Sequence, residues 1–248
     1  MKWSNTSSYI FFGDDSISRD DRGRYTLGHN ENSGLSRDLC GRFCREYRNT
    51  KSVNVDAFLD PNQCRVGILD IETTGLDAAF DLTLCAVVKT FGVDCAPNVF
   101  YIDLDADSVR NSERIMIKSI NNLLSWYDGI ITYYGSKFDC NFLRTRALAL
   151  GIEPLAKIKH LDLYYTAKRV ICSKTRRMDR VNEILQLGNP DGSPDKTRLA
   201  IQHWSDVVIG RNSESLRYII EHCIKDVEIL ENATKQLRQF APDRILRR

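Results

Sequence analysis

From Arg65 onward the apolar positions fall into runs with two periods. Val66 to Ile71 is an almost unbroken apolar run and reads as a strand. Leu82 to Phe91, Val99 to Leu104 and Ile130 to Tyr134 are expected to be strands as well. Between them, Ser108 to Trp126 and Phe138 to Leu150 carry helical spacing, and Lys157 to Leu163 gives one more short strand. Helices dominate beyond that point. Ile219, Cys223, Val227, Leu230, Ala233 or Thr234, and Leu237 repeat along one helical face. Three meandering strands followed by alternating helix and strand predict an α/β domain with a mixed five-stranded sheet flanked by helices.

Residues 1–63 read differently. They are rich in Ser, Asn, Asp and Gly and are expected to form a partly irregular N-terminal extension. Within it, Tyr9 to Phe12 suits a short strand, Gly13 to Gly34 a long polar loop, and Leu35 to Tyr47 a helix presenting Leu39, Phe43 and Tyr47. Asp60-Pro61-Asn62-Gln63 is a turn and marks the boundary. The domain then spans 64–240, and 241–248 is a basic C-terminal tail.

Chemistry enters at the end of the first apolar run, Val66-Gly67-Ile68-Leu69-Asp70-Ile71-Glu72-Thr73-Thr74-Gly75-Leu76. Alternation along a strand puts Asp70 and Glu72 on the same side. Two like charges held so close are unfavourable without a cation between them, and a hard divalent ion suits oxygen ligands. Asp139, in Tyr134-Gly135-Ser136-Lys137-Phe138-Asp139, falls between a strand and the start of a helix. His222 and Asp226 lie one turn apart on the last amphipathic helix. Each acid alone fits a solvated face or a first-turn carboxylate as well as a metal ligand.

Together the three segments resemble the motifs of the DEDD (DnaQ-like) 3′–5′ exonuclease superfamily, which has an RNase H-like fold. The intervening Leu161-Asp162-Leu163-Tyr164, Lys196-Thr197-Arg198-Leu199 and Trp204 are similar to YprB-type RNase H-like exonucleases and to family B polymerase proofreading domains. The similarity spans residues 65–238. It implies two divalent cations, Mg²⁺ or Mn²⁺, held by Asp70, Glu72, Asp139 and Asp226. Asp70 would bridge both ions, Glu72 and Asp226 would hold the one on the nucleophile side, and Asp139 would support the second. Thr73, Thr74, Leu76 and Phe138 would line the pocket for the terminal nucleotide. The implied activity is release of nucleoside monophosphates from single-stranded 3′ ends; DNA is slightly preferred over RNA as the expected substrate, although no residue here reads the 2′-hydroxyl. An exoribonuclease and a binding module without turnover are the alternatives, and an endonuclease is a third. One family branch has Tyr four residues before the last Asp, and another has His five before it. This chain has His222 at the Tyr spacing. His222 is expected to orient or deprotonate the attacking water, with Tyr218 the weaker candidate. Asp162 reads as a strand-end carboxylate or as a support for the acids.

Net charge is only +2, so the whole chain is not a strongly basic nucleic-acid binder. Charge is local instead. Lys168 to Arg180 carries six cations and one acid, which makes Arg176 and Arg177 candidates for phosphate contact; Arg238, Arg244, Arg247 and Arg248 follow. No stretch approaches a membrane span, and the start lacks the apolar core of a signal peptide, so a cytoplasmic protein without membrane contact is expected. The eight cysteines then read as reduced and often buried. Cys40 and Cys44, with His29 and Cys64, have ligand-like spacing, but no compact second pair supports zinc, and free thiols are expected. A proofreading role would need a polymerase, or another replication, repair or RNA-processing protein, as partner.

Overall fold

The computed structural model describes residues 10–12, 15–19, 25–29, 50–104, 106, 108–188 and 201–247. Its centre is a five-stranded mixed sheet. In chain order the strands are β1 (Ile10–Phe12), β2 (Asp15–Arg19), β3 (Tyr25–His29), β4 (Ser52–Asn54), β5 (Val66–Thr73), β6 (Thr83–Thr90), β7 (Asn98–Tyr101), β8 (Gly129–Thr132), β9 (Lys159–Asp162) and β10 (Arg244–Leu246). The helices are α1 (Val55–Phe58), α2 (Val109–Leu124), α3 (Asp139–Ala149), α4 (Leu163–Val170), α5 (Met178–Leu185), α6 (Ile201–Val208) and α7 (Ser213–Leu237).

The central sheet runs β7-β6-β5-β8-β9. β5, β6 and β7 form the antiparallel meander, and β8 and β9 are added in parallel to β5. This is the predicted RNase H-like α/β architecture. The reason lies in the runs themselves. β6 is buried along most of its length, and β8 and β9 are buried throughout, so both faces must be covered. Helix α7 covers β5 and β6 with the predicted stripe: Ile219, Cys223, Val227, Leu230 and Thr234 are almost completely buried. Asn212 starts that helix by accepting the N–H groups of Glu214 and Ser215 at 2.9 and 3.0 Å.

The segment before Pro61 and the basic end of the chain pack onto this same core. β10 pairs with β4, and Ile245 and Val53 are buried against it. Phe58 of α1 lies so close to Gly129 that a Cβ there would sit 2.2 Å from its ring. Gly129 is therefore required by close approach at the first residue of β8. Arg247 donates to the Lys157 carbonyl at 2.8 Å, and Arg244 to Ser52 at 3.1 Å, so the tail cations are tied to the protein. Residues 13–34, expected as a polar loop, contain β2 and β3, an antiparallel hairpin extended by β1. The sequence has no long apolar run there to announce these strands. The expected helix at 35–47, Cys40 and Cys44, Lys196–Leu199 and the last residue, Arg248, lie outside the described residues. Cys64 is a buried thiol, and burial pushes its pKa up to about 12. No helix among the described residues is long and apolar enough to cross a membrane.

Candidate metal centre at the sheet edge

The acids gather where β5 ends. The burial pattern of β5 changes from continuous to alternating at Asp70, so Ile71 and Thr73 enter the core while Asp70 and Glu72 share the other face. A bulge follows at once. Glu72 pairs with Cys85 but Thr73 with Thr83, which leaves an extra residue on β6 and bends the strand as it leaves the sheet. Helix α7 crosses this point. His222 Nε2 lies 3.9 Å from Glu72 Oε1 and 3.7 Å from Asp226 Oδ2. One donor atom from each of these three residues falls within 4.8 Å of the other two.

Asp139 completes the group from the buried side, with half-buried Asp70 beside it. Asp139 is the first residue of α3 and is 5% exposed. Burial raises its pKa to about 7, against the pull of hydrogen bonds from its own backbone N–H and that of Ile71. The Ile71 contact places the Asp139 carboxyl beside β5, at the residue between Asp70 and Glu72. Burial also raises Asp70 well above the usual carboxylate range, and repulsion from Asp226, then Asp139, then Glu72 adds to it. Four carboxyl groups from three elements thus face one another. All-oxygen donors of this kind fit a hard divalent cation, and a neutral imidazole tolerates Mn²⁺ equally.

The supports behind each acid were less visible in the sequence. The Cys223 thiol, one residue from His222, donates to Asp70 Oδ2 at 3.2 Å and reaches its backbone oxygen at 3.5 Å. Sequence reasoning treated Cys223 as a small apolar residue of the stripe. Its place on that stripe, facing β5, was the available signal. Asp162 braces the turn that leads to Asp139. Its Oδ1 accepts the N–H of Tyr134 at 2.8 Å, and its Oδ2 accepts the N–H and hydroxyl of Ser136 at 3.0 and 2.5 Å. The same side chain caps α4 through the N–H of Tyr164 at 3.2 Å. Asp162 therefore acts on both of its expected readings, as a strand-end cap and as a support. His160 adds a contact to Thr132 at 2.7 Å. Deeper still, Arg146 of α3 pairs with Glu113 of α2 through bonds of 2.9 and 2.5 Å and donates to the Ala78 carbonyl at 3.1 Å. Glu113 in turn accepts the Thr83 N–H at 2.9 Å, so one buried ion pair locks α3 and the loop after Glu72 to β6.

The predicted substrate residues divide. Thr73 is buried and donates to the Gly75 carbonyl at 2.6 Å. Thr74 donates to Asp81 Oδ1 at 3.1 Å and accepts the Leu82 N–H at 2.9 Å. Both hydroxyls hold the turn. Gly75 is needed there because a Cβ would lie 2.5 Å from the Asp81 carboxylate. Leu76 projects from this turn 85% exposed, as does Phe80 a few residues on. Phe138 is half-buried and packs on Phe142 with ring centres 5.4 Å apart. Arg176 is half-buried and donates to the Ile171 carbonyl at 3.1 Å, whereas Arg177 is exposed. Tyr218 stacks on His203 at 4.7 Å, a turn away from His222. The tail cations lie at the starts of the parallel strands, at the opposite edge from the acids. A cavity of about 360 Å³ opens at that same far edge, among Lys118, Tyr127, Asp128, Lys159 and Arg247.

Comparison with known proteins agrees with this geometry. No curated protein matches the chain. A structure of the family B DNA polymerase from the hyperthermophilic archaeon Pyrobaculum calidifontis is similar over 69% of this chain, with a TM-score of 0.53 and 21% identity. The match covers 24% of the polymerase, so it is the fold that is shared. A model of the RNase_H superfamily matches residues 68–238, from the strand that carries Asp70 and Glu72 to the end of the helix that carries His222 and Asp226. With the mixed sheet and the acids at its edge, that match establishes that the chain belongs to the RNase H superfamily.

Proposed function

We propose that this protein is a metal-dependent 3′–5′ exonuclease that hydrolyses single-stranded ends to nucleoside monophosphates, DNA in preference to RNA. One observation carries the reading. Half-buried Asp70 is repelled by three further carboxyl groups, and an imidazole nitrogen stands within 4 Å of two of the acids in this group. Such an arrangement is costly for folding and useful for binding cations. Asp70, Glu72, Asp139 and Asp226 would hold two Mg²⁺ or Mn²⁺ ions. When bound, the pair supplies an activated water and charge stabilisation for the departing 3′ oxygen.

The protein's own part is positioning. Asp70 is held from behind by the Cys223 thiol, and Asp139 by the turn that Asp162 braces. His222 Nε2, within 4 Å of Glu72 and of Asp226, would accept a proton from the attacking water or orient it. Leu76, exposed on the turn after Glu72, offers an apolar surface for the terminal base. Arg177 supplies charge for the phosphates further along the strand. A polymerase or another replication, repair or RNA-processing protein is the partner class this activity implies.

The test is a time course on 5′-labelled single-stranded DNA and RNA of equal sequence, with Mn²⁺, Mg²⁺ or EDTA, beside the Asp70→Ala protein. The expected result is a metal-dependent ladder shortening from the 3′ end, faster on DNA and absent in the variant, with a circular strand left intact. Cleavage by the variant would remove the acids from the mechanism, and cutting of the circle would make the enzyme an endonuclease.

A further inference from the structure

The turn between β8 and α3 contains a residue in the wrong backbone conformation for its side chain. Tyr134 has φ 66°. That left-handed region suits Gly or Asn and disfavours an aromatic residue. The conformation is enforced. Asp162 accepts the Tyr134 N–H, and the Tyr134 carbonyl accepts the N–H groups of Lys137 and Phe138 at 3.0 and 3.1 Å. Despite this, the ring is not used to fill the core: Tyr134 is 45% exposed. Its plane is fixed by Tyr164, whose ring meets it at 70° with centres 4.8 Å apart. Tyr164 is itself held edge-on by Tyr133 at 5.8 Å and Tyr165 at 5.3 Å.

Two neighbours define what such a ring faces. Five residues on, the same turn delivers Asp139 to the candidate metal centre. On the other side, the Tyr133 hydroxyl donates to the Arg176 carbonyl, which anchors the basic segment 174–180 beside the aromatic group. An exposed ring held by its neighbours, on the turn that leads to the acids and next to the residue that anchors a basic segment, suits a single-strand track, in which bases stack and cations follow the phosphates.

We infer that Tyr134 is a stacking platform for a nucleobase of the single strand whose 3′ end occupies the metal centre. The inference rests on the nuclease reading above and adds a base-binding subsite to it. Strain at a turn is kept where the strained side chain has work that an unstrained one could not do. Here Asn would relieve the backbone and lose the platform. Because the contact is to the face of a base, it is indifferent to sequence and sensitive to whether a base is present.

The experiment uses fluorescein-labelled oligonucleotides with a single abasic residue at each of the first six positions from the 3′ end. Binding is read by anisotropy with Ca²⁺ as the cation, gels confirming that the strand stays whole. Wild type and Tyr134→Phe should bind about tenfold more weakly when one particular position lacks its base, within the range for one stacked base. Tyr134→Asn should bind the complete strand about tenfold more weakly and lose the dependence at that position, with a melting temperature no lower than wild type. An abasic profile for Tyr134→Asn identical to that of wild type overturns the subsite and leaves the nuclease reading standing. Failure of the wild type to bind any strand overturns both.

Discussion

Asp139→Asn should stabilise the metal-free protein above neutral pH and destabilise it by about 1–2 kcal/mol near pH 4, where only a lost hydrogen-bond acceptor counts. The Asp139 carboxyl is raised to about 7 in the fold, from about 3.8 in the unfolded chain. Between those values the folded state keeps a proton that the unfolded state has released. Fewer protons are bound by the unfolded chain, so stability must fall as pH rises across this window. The loss begins near the unfolded value and is complete above the folded one. A difference of about three pKa units at 1.36 kcal/mol each comes to about 4 kcal/mol. Asparagine keeps the shape and removes the charge. It also gives up one acceptor where the backbone N–H groups of Asp139 and Ile71 now bond, which costs roughly 1–2 kcal/mol. The net gain expected for the variant in EDTA is about 2–3 kcal/mol at pH 8.

Urea unfolding at half-unit steps from pH 4.5 to 8.5, in EDTA, measures this directly. Wild-type stability should decline by about 1.4 kcal/mol per pH unit from this group, and Asp70, shifted in the same direction, steepens the decline. The variant curve should be flatter by one proton's worth. Saturating Mn²⁺ should then reverse the order, because a cation bound only by the folded state stabilises the protein that binds it more tightly. Parallel curves for the two proteins in EDTA would refute the reasoning, for they would mean that the Asp139 carboxyl is ionised in the fold at no cost.

Two further outcomes follow from named contacts. His222→Ala should slow cleavage about 100-fold and flatten the acid limb of the pH–rate profile, read from single-turnover rates between pH 5.5 and 9; an unchanged limb would assign the water to another group. Arg146→Met leaves Glu113, fully buried, without its cation and should cost about 3–5 kcal/mol in urea unfolding, most of it recovered when Glu113→Leu is added. A loss under 1 kcal/mol would show that the pair does not lock α3.

What could be read from the sequence was whatever repeats at short range. The strand that ends in Asp70 and Glu72 was visible because an apolar run stops at alternating carboxylates. The last helix was visible because its stripe, from Ile219 to Leu237, is regular. What escaped depends on partners far along the chain. Nothing near Cys223 says that its thiol meets Asp70, 153 residues away. Arg146 and Glu113 look like the wet faces of two helices, and only the crossing of α2 and α3 turns them inward. β10 reads in the sequence only as part of a basic tail because its partner, β4, precedes the whole domain.

These supports are distributed unevenly, and the distribution bears on function. The starts of β5, β8 and β9 are closed by apolar contacts and by pairing: Phe58 on Gly129, β10 on β4, and the Asp128 carboxylate on the Arg65 N–H at 2.9 Å. The ends of the same strands carry mutually repelling acids. The fold is therefore held together at one edge of its sheet and electrostatically strained at the other. Three of the acids are held by groups without a formal positive charge: a thiol behind Asp70, a helix start under Asp139, a helical register for Asp226. His222 approaches two of them, Glu72 and Asp226. Divalent ions, and the phosphate they would bring, are the groups whose charge suits such a cluster of carboxylates.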